Sequence, residues 1–223
     1  MNIEEFLVVI PARAGSKRIK NKNRALFNNK PLITHSIEYA KERIGADIII
    51  NTNDKLIAPI AQKYGIEIMW REEHLAQDES STLEVLKDVV KRANNKYKFI
   101  VLLQPTNPLR PKNLFKECLD LLSKNPNQSV ITIGENKHKL GTINNKAYQP
   151  TSYSFGQRSQ DLEPLFYENG LMYIIPLKAI SEGKLMTENP SACIVKHPFS
   201  TVDIDDEMDL KWAQFISKNY SDE

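Results

Sequence analysis

A chain of 223 residues, 41% of them hydrophobic, suits one domain able to bury its own core and needs no second full domain. Its 30 basic and 28 acidic residues leave a formal net charge of only +2, which argues against nucleic acid as the main partner. No apolar run approaches the roughly 18 residues that span a bilayer, so no membrane partner is expected.

In chain order, Glu4 and Glu5 precede the apolar run Phe6–Ile10, which reads as a buried strand rather than an export signal, and a cytoplasmic location is expected. Further β-rich runs fall at Asp47–Asn51, Ile66–Trp70, Phe99–Leu103 and Ser129–Gly134, several of them nearly all apolar, as strands covered on both faces should be. Helical patterns lie between them. "PLITHSIEYAKERI" puts Leu32, Ile33, Ile37, Ala40 and Ile44 near one face, and "NDKLIAPIAQKYG" follows an Asn/Asp cap, is interrupted by Pro59 and ends on Gly65. "STLEVLKDVVKRAN" and "PKNLFKECLDLLSK" repeat the pattern. This alternation predicts an α/β fold with right-handed crossovers, a mainly parallel central sheet and helices on both faces. After Gly134 the rhythm fails, and residues 135–166 read as a polar, turn-rich excursion of the functional or interfacial kind. "GLMYIIP" and "SACIVKHP" resume as strands, and "DEMDLKWAQFISKN" closes as a helix. Cys118 and Cys193 fall in a helix and a strand and read as reduced apolar fillers.

Directly after the first strand stands "IPARAGSKRIKNKN", with Arg13, Lys17, Arg18, Lys20 and Lys22 in one short span. In open parallel sheets ligands bind outside the carboxyl ends of the strands, so the loop is placed where a phosphate should go. It has a single glycine, Gly15, and fits neither G-x-G-x-x-G nor G-x-x-x-x-G-K-[ST], which disfavours a dehydrogenase or a P-loop NTPase. Gly15 and Ser16 offer donors and the cations offer charge, a combination that can neutralise a triphosphate whose charge moves during reaction. The plainer alternative is a solvated basic loop.

The same stretch closely resembles the signature of the CMP-N-acetylneuraminate synthetase family, the cytidylyltransferases that activate sialic acid and related nonulosonic acids. The resemblance continues in order through "KPLITHSIEYA", "REEHLAQDESST", "LLQPTNPLR", "RSQDLEPLFYENGLMYI" and "DIDDEMDL". It implies a Rossmann-like nucleotidyltransferase fold and transfer of CMP from CTP to the anomeric hydroxyl of a nonulosonic acid, with release of pyrophosphate. It implies that Arg13, Lys17 and Lys22 form a catalytic triphosphate loop, and that Ala12, Gly15, Ser16, Asn23 and Arg71 bind nucleotide. A hydroxyl of Ser80, Ser81 or Thr82 is placed near the base. For Arg71 a surface ion pair with Glu72 or Glu73 is the alternative.

Pro105 and Pro108 stiffen "LLQPTNPLR", so that Gln104, Thr106 and Arg110 sit at the sheet's carboxyl edge, and the resemblance turns Gln104 and Thr106 toward the sugar. Relatives often carry Ser where this chain has Asn107. A guanidinium at Arg158 suits the acceptor's carboxylate, and Gln160 and Asn169 suit its hydroxyl or acyl-amino groups. Tyr167 lines the pocket or is core, and Asp161 is either an acceptor for a hydroxyl or an ion-pair partner of Arg158. Asp203 and Asp205, two apart in an extended segment, face one side and suit a divalent cation, Mg²⁺, shared with substrate phosphates, while Asp206 caps the last helix. The partners implied are CTP, an acidic nine-carbon sugar and a second copy of the chain, with residues 135–166 at the dimer interface. Kdo-type and pseudaminic acid cytidylyltransferases, a nucleotide-sugar glycosyltransferase and a non-catalytic nucleotide-binding protein are the competing readings.

Overall fold

The computed structural model describes residues 1–93 and 96–222; Asn94, the last residue of the third helical pattern, and Glu223 lie outside the described residues. In chain order the elements are β1 (Phe6–Pro11), β2 (Leu26–Phe27), β3 (Lys30–Pro31), α1 (Leu32–Tyr39), β4 (Asp47–Thr52), α2 (Ala58–Tyr64), β5 (Glu67–Trp70), α3 (Thr82–Arg92) and β6 (Phe99–Leu102). There follow α4 (Leu114–Lys124), β7 (Val130–Asn136), β8 (Gly141–Asn144), β9 (Ala147–Pro150), β10 (Leu165–Pro176), α5 (Leu177–Ser181), β11 (Ser191–Ile194) and α6 (Glu207–Asn219).

Seven strands form one sheet in the order β11-β7-β10-β6-β1-β4-β5. β1 runs parallel to β4 and β6, β4 to β5, and β7 to β11. β10 is reversed, lying antiparallel between β6 and β7. The expected mainly parallel sheet is present, with one antiparallel strand inserted into it. β10 also begins earlier than the apolar run "GLMYIIP": its register against β7 shifts between Glu168 and Tyr173, so a bulge containing Asn169 and Gly170 splits it into two paired halves.

Alternation along β1 divides the core. Phe6, Val8 and Ile10 pack with Ile33 and Ile37 of α1, Ala61 of α2 and Phe115 and Cys118 of α4 on one face. Leu7 and Val9 pack with Leu86 and Val89 of α3 and Ala179 and Ile180 of α5 on the other. A third cluster joins Phe27 and Leu32 to Val202, Ile204, Ala213 and Ile216, which pins the segment before α6 against the start of α1. Pro59, read from sequence as an interruption, lies in the first turn of α2, where its missing N–H costs nothing. Within the excursion, residues 141–150 form the β8–β9 hairpin, turned by Asn145 and Lys146 at positive φ. Both cysteines are free and buried, as expected. No helix among the described residues is long and apolar enough to cross a membrane.

Candidate active site

The carboxyl ends of β1, β5 and β6 open onto one cleft of about 520 Å³. Its first wall is the chain leaving β1. The Ala12 N–H donates to the Asn51 carbonyl at 2.9 Å and the Ala14 N–H to Asn53 Oδ1 at 2.8 Å, fastening the loop to the end of β4. Gly15 then turns at φ +80°, a conformation that favours glycine. Asn23 Nδ2 donates to the Arg13 carbonyl at 2.9 Å, closing the loop on itself.

The cleft brings together Arg13, Ser16, Lys17, Lys22, Asn23, Arg71, Ser80, Gln104, Thr106 and Asp205 of the residues singled out from sequence. Thr82, the third candidate hydroxyl, also lines it. Ala12 is buried behind the wall and Gly15 shapes the turn; neither lines the cleft. Ser81 spends its hydroxyl on a capping box with Glu84 at the start of α3. Arg158 is exposed on the excursion and grips Asp161 through Nε at 2.8 Å and Nη2 at 3.0 Å, with Gln160 exposed beside them. Tyr167 covers Gly134 and donates to the Ser200 carbonyl at 3.2 Å. None of the sugar-side candidates from 158 to 169 lines the cleft of the single chain.

Charge in the cleft is arranged in two brackets. Asp78 binds Arg13 Nη2 at 2.6 Å and also Lys17 Nζ. Asp205 binds Lys22 Nζ at 2.8 Å and Arg18 Nη1 at 2.9 Å, and the Lys22 contact chiefly holds its carboxyl below the usual range. Arg71 stands apart from both. Its Nε donates to Asn51 Oδ1 at 2.6 Å and its Nη2 to the Asn51 carbonyl at 3.2 Å, so it is a buried guanidinium held by neutral oxygens. Among the described residues no carboxylate lies within ion-pair distance of it. The surface pair with Glu72 or Glu73, the alternative reading of Arg71, is not formed. Burial, and then the nearby Arg13 charge, bring its pKa down to about 10, so it stays cationic at neutral pH.

Asp203 is exposed and, unlike Asp205, does not line the cleft; its segment is tied by the Ile204 N–H to the Thr106 carbonyl at 2.8 Å rather than extended into a strand. Surrounding protein raises its carboxyl above the ordinary value, a hydrogen bond with Thr106 opposes the rise, and the Asp205 charge adds to it. The two carboxylates are therefore electrostatic neighbours, as the D-x-D spacing implied. Among the described residues no group of three or more metal-ligating side chains forms. Two carboxylates and the Thr106 hydroxyl still fit a small hard cation, which commonly takes one or two carboxylates and completes its shell with phosphate oxygens and water.

The floor is stitched from remote segments. Arg110, fully buried, donates from Nε to the Leu171 carbonyl at 2.6 Å, from Nη1 to Ser36 Oγ at 3.1 Å and from Nη2 to the Gln104 carbonyl at 2.8 Å. Asn107 Nδ2 donates to the carbonyls of Asn169 at 3.0 Å and Val202 at 2.9 Å. A serine has one hydroxyl hydrogen and could not serve both carbonyls, which gives this chain's Asn107 a structural role. A Cβ on Gly170 would stand 2.9 Å from Asn107 Oδ1, so the glycine is needed for that approach as well as for its φ of +73°. Asn169 is buried, and its Nδ2 is an orphaned donor among the described residues.

Sequence reasoning missed Asp78, the pairing role of Arg18 and the apolar wall of Val85 and Leu86. Nothing local marks Asp78 as a partner for a loop 65 residues earlier.

The cytidylyltransferase family model matches residues 7–160. An N-acylneuraminate cytidylyltransferase of Streptococcus agalactiae is 33% identical over 176 residues, which cover 75% of this chain and 42% of that protein, so the chain spans about two fifths of its length. A CMP-N,N'-diacetyllegionaminic acid synthase of Legionella pneumophila is 32% identical over 220 residues and 93% of both chains. Among solved structures, a CMP:2-keto-3-deoxy-manno-octonic acid synthetase complexed with CTP superposes with a TM-score of 0.71 at 15% identity, covering 97% of this chain and all of the other. That likeness bears on the fold, which is of the Rossmann-like nucleotidyltransferase kind.

Proposed function

The chain belongs to the cytidylyltransferase family, and from that premise we propose that it transfers CMP from CTP to the anomeric hydroxyl of an acidic nine-carbon sugar and releases pyrophosphate. The observation that carries this reading is Arg71: a buried cation opening into a cleft, without a carboxylate of its own, and facing a loop with four more cations. A buried charge left without a counter-ion is costly, and an anionic ligand supplies one.

In the proposed reaction the sugar's anomeric hydroxyl gives its proton to water, its oxygen forms a bond to the α-phosphorus while the bond from that phosphorus to the bridging oxygen breaks, and the electron pair leaves with pyrophosphate. Arg13, Lys17 and Lys22 take up the charge that grows on the leaving group. Ser16 and Asn23 orient the phosphates, Thr82 offers a hydroxyl toward the nucleoside, Ser80, whose hydroxyl donates to the His74 carbonyl at 2.9 Å, offers an acceptor oxygen, and Val85 and Leu86 give the nucleoside an apolar wall that sheds water. Gln104 and Thr106 meet the acceptor from the floor. Asp203 and Asp205 would hold Mg²⁺, which when bound supplies Lewis-acid polarisation of the phosphates.

Arg158 is the candidate for the acceptor's carboxylate, yet it sits on the excursion. Ile143 and Phe155 there are 77% and 73% exposed, and Leu140, Tyr148, Leu165 and Phe166 are exposed too. Large exposed apolar side chains grouped on one segment mark an interface. We therefore assign the excursion to a homodimer in which Arg158 reaches acceptor bound to the partner subunit. The need for CTP suits a cytoplasmic location.

The test is pyrophosphate release from CTP with a panel of acceptors: N-acetylneuraminic, legionaminic and pseudaminic acids and Kdo. Release dependent on one nine-carbon acid supports the reading. Release with Kdo alone moves the chain to the eight-carbon branch, and CTP binding without turnover on any acceptor defeats the enzymatic reading.

A further inference from the structure

The two brackets in the cleft are unequal in kind. Asp205 belongs to the D-x-D pair, whereas Asp78 has no part in the proposed reaction. It comes from the loop between β5 and α3, 65 positions from Arg13, and it crosses the cleft mouth to take Arg13 on one carboxylate oxygen and Lys17 on the other. These are the two cations that pyrophosphate would need on that side. The Asp78 side chain is 34% exposed and the Lys17 side chain 79%, so the contact can be exchanged without unpacking the core. Both partners respond to it: the Lys17 ammonium is raised and the Asp78 carboxyl lowered from their ordinary values, each chiefly by their mutual hydrogen bond.

We propose that Asp78 is a specificity-determining stand-in for phosphate, which holds Arg13 and Lys17 in the empty cleft and must be displaced by the β- and γ-phosphates of the nucleotide. This rests on the nucleotide reading given above. A carboxylate and a phosphate group present similar paired oxygens to a guanidinium and an ammonium. Both cannot occupy the same two cations without placing like charges in contact, which costs free energy. Displacement lowers the affinity for every phosphate ligand. A nucleoside monophosphate gains least from the exchange, and pyrophosphate leaves faster as Asp78 returns to its partners.

The test is titration calorimetry with inorganic pyrophosphate on wild type, Asp78→Asn, Asp78→Ser and, as a control, Glu79→Gln. Glu79 is exposed and acts on Lys17 only through space, so its variant makes the same change in net charge without breaking the bracket. Exposed ion pairs of this kind predict that both Asp78 variants bind pyrophosphate about three- to tenfold more tightly, while Glu79→Gln stays within about twofold of wild type. Unchanged or weaker binding by the Asp78 variants overturns the proposal and makes Asp78 a residue that preorganises the cations. An equal gain in Glu79→Gln also overturns it, in favour of net charge alone. If wild type itself fails to bind pyrophosphate, the nucleotide reading falls and this proposal with it; binding by wild type with no gain on substitution sinks the stand-in alone.

Discussion

The cleft floor and the excursion are built on opposite terms. In the floor and its charged edge, most polar ties join segments far apart in the chain: Asn107 to Asn169 and Val202, Arg110 to Leu171 and Ser36, Lys22 to Asp205. In the excursion the side-chain ties stay within the segment. Ser154 to Gln157, Gln157 to Asp161 and Arg158 to Asp161 each span four residues or fewer, Lys139 to Gln157 spans 18, and Ile143 and Tyr148 of the hairpin are exposed. The floor therefore folds only when the whole sheet does, and it holds groups at fixed distances. The excursion keeps its own conformation with little help from the core, and its apolar surface gains burial only against another chain.

Breaking the floor at its charged edge should have the largest effect. Asp205→Asn keeps the shape but removes a ligand charge and both ion pairs, so turnover should fall roughly 10²-fold or more. Because Lys22 and Arg18 lose their partner, stability without metal should not rise, although one of two neighbouring carboxylates has been neutralised. Pyrophosphate release against Mg²⁺ concentration, paired with thermal unfolding, reads both, and near-normal turnover would remove Asp205 from the site.

Arg110→Met strikes the same region through packing. It leaves the Leu171 carbonyl without its side-chain donor in a buried setting, while the Gln104 carbonyl keeps the Asn107 N–H and the Ser36 hydroxyl, at an expected cost of about 1–3 kcal/mol by urea unfolding. A loss below about 1 kcal/mol would mean the floor is held by its strands alone.

The excursion should answer differently. Ile143→Ser with Phe155→Ser should convert a dimer to a monomer in light scattering while unfolding stability moves by only about 0.5 kcal/mol. Arg158→Ala should raise the acceptor KM about tenfold and leave CTP affinity near wild type, in keeping with loss of one charged contact. Equal loss of both affinities would tie Arg158 to the nucleotide or to the fold.

The smallest effect concerns His35, which links α1 to the β2–β3 hairpin. Its Nε2 lies 3.0 Å from the Phe27 carbonyl and its ring packs edge-on to Phe27. Burial chiefly lowers its pKa from 6.5. The unfolded chain then binds the proton more readily, so the contribution of His35 to stability is complete above its unfolded pKa and is lost as pH falls through the folded value. His35→Gln should lose less of its unfolding temperature between pH 7 and 5 than wild type, a comparison that cancels the other acid-sensitive groups; identical slopes would contradict it.

Much of the cleft was legible. The basic loop, "LLQPTNPLR" and Asp205 carry local signals, a cation cluster or paired prolines at a strand exit and a D-x-D, whereas Arg71 was marked by the family resemblance alone. They converge because parallel strands deliver every strand exit to one edge. The residues from 158 to 169 carried a chemical signal as well, but their distance from the cleft was not legible, since a segment without periodicity gives no direction in which to project it. The reversal of β10 was hidden for a related reason: a fully apolar strand reads the same in either direction.

The sequence by itself determined the strands of the central sheet apart from the first half of β10, the five longer helices, the edge at which the ligand site forms, and the family. These follow from patterns repeating every two or 3.6 residues and from turn chemistry, which act over a dozen residues at most. Only the tertiary structure decided that Arg71 and Arg110 would be buried cations with no carboxylate partner among the described residues, that Asp78 and Asp205 would divide four of the loop's cations between them, and that Arg158 would stand outside the cleft. Burial and ion pairing depend on distances between segments as far apart as Lys22 and Asp205, separated by 183 positions, and no local pattern carries that distance.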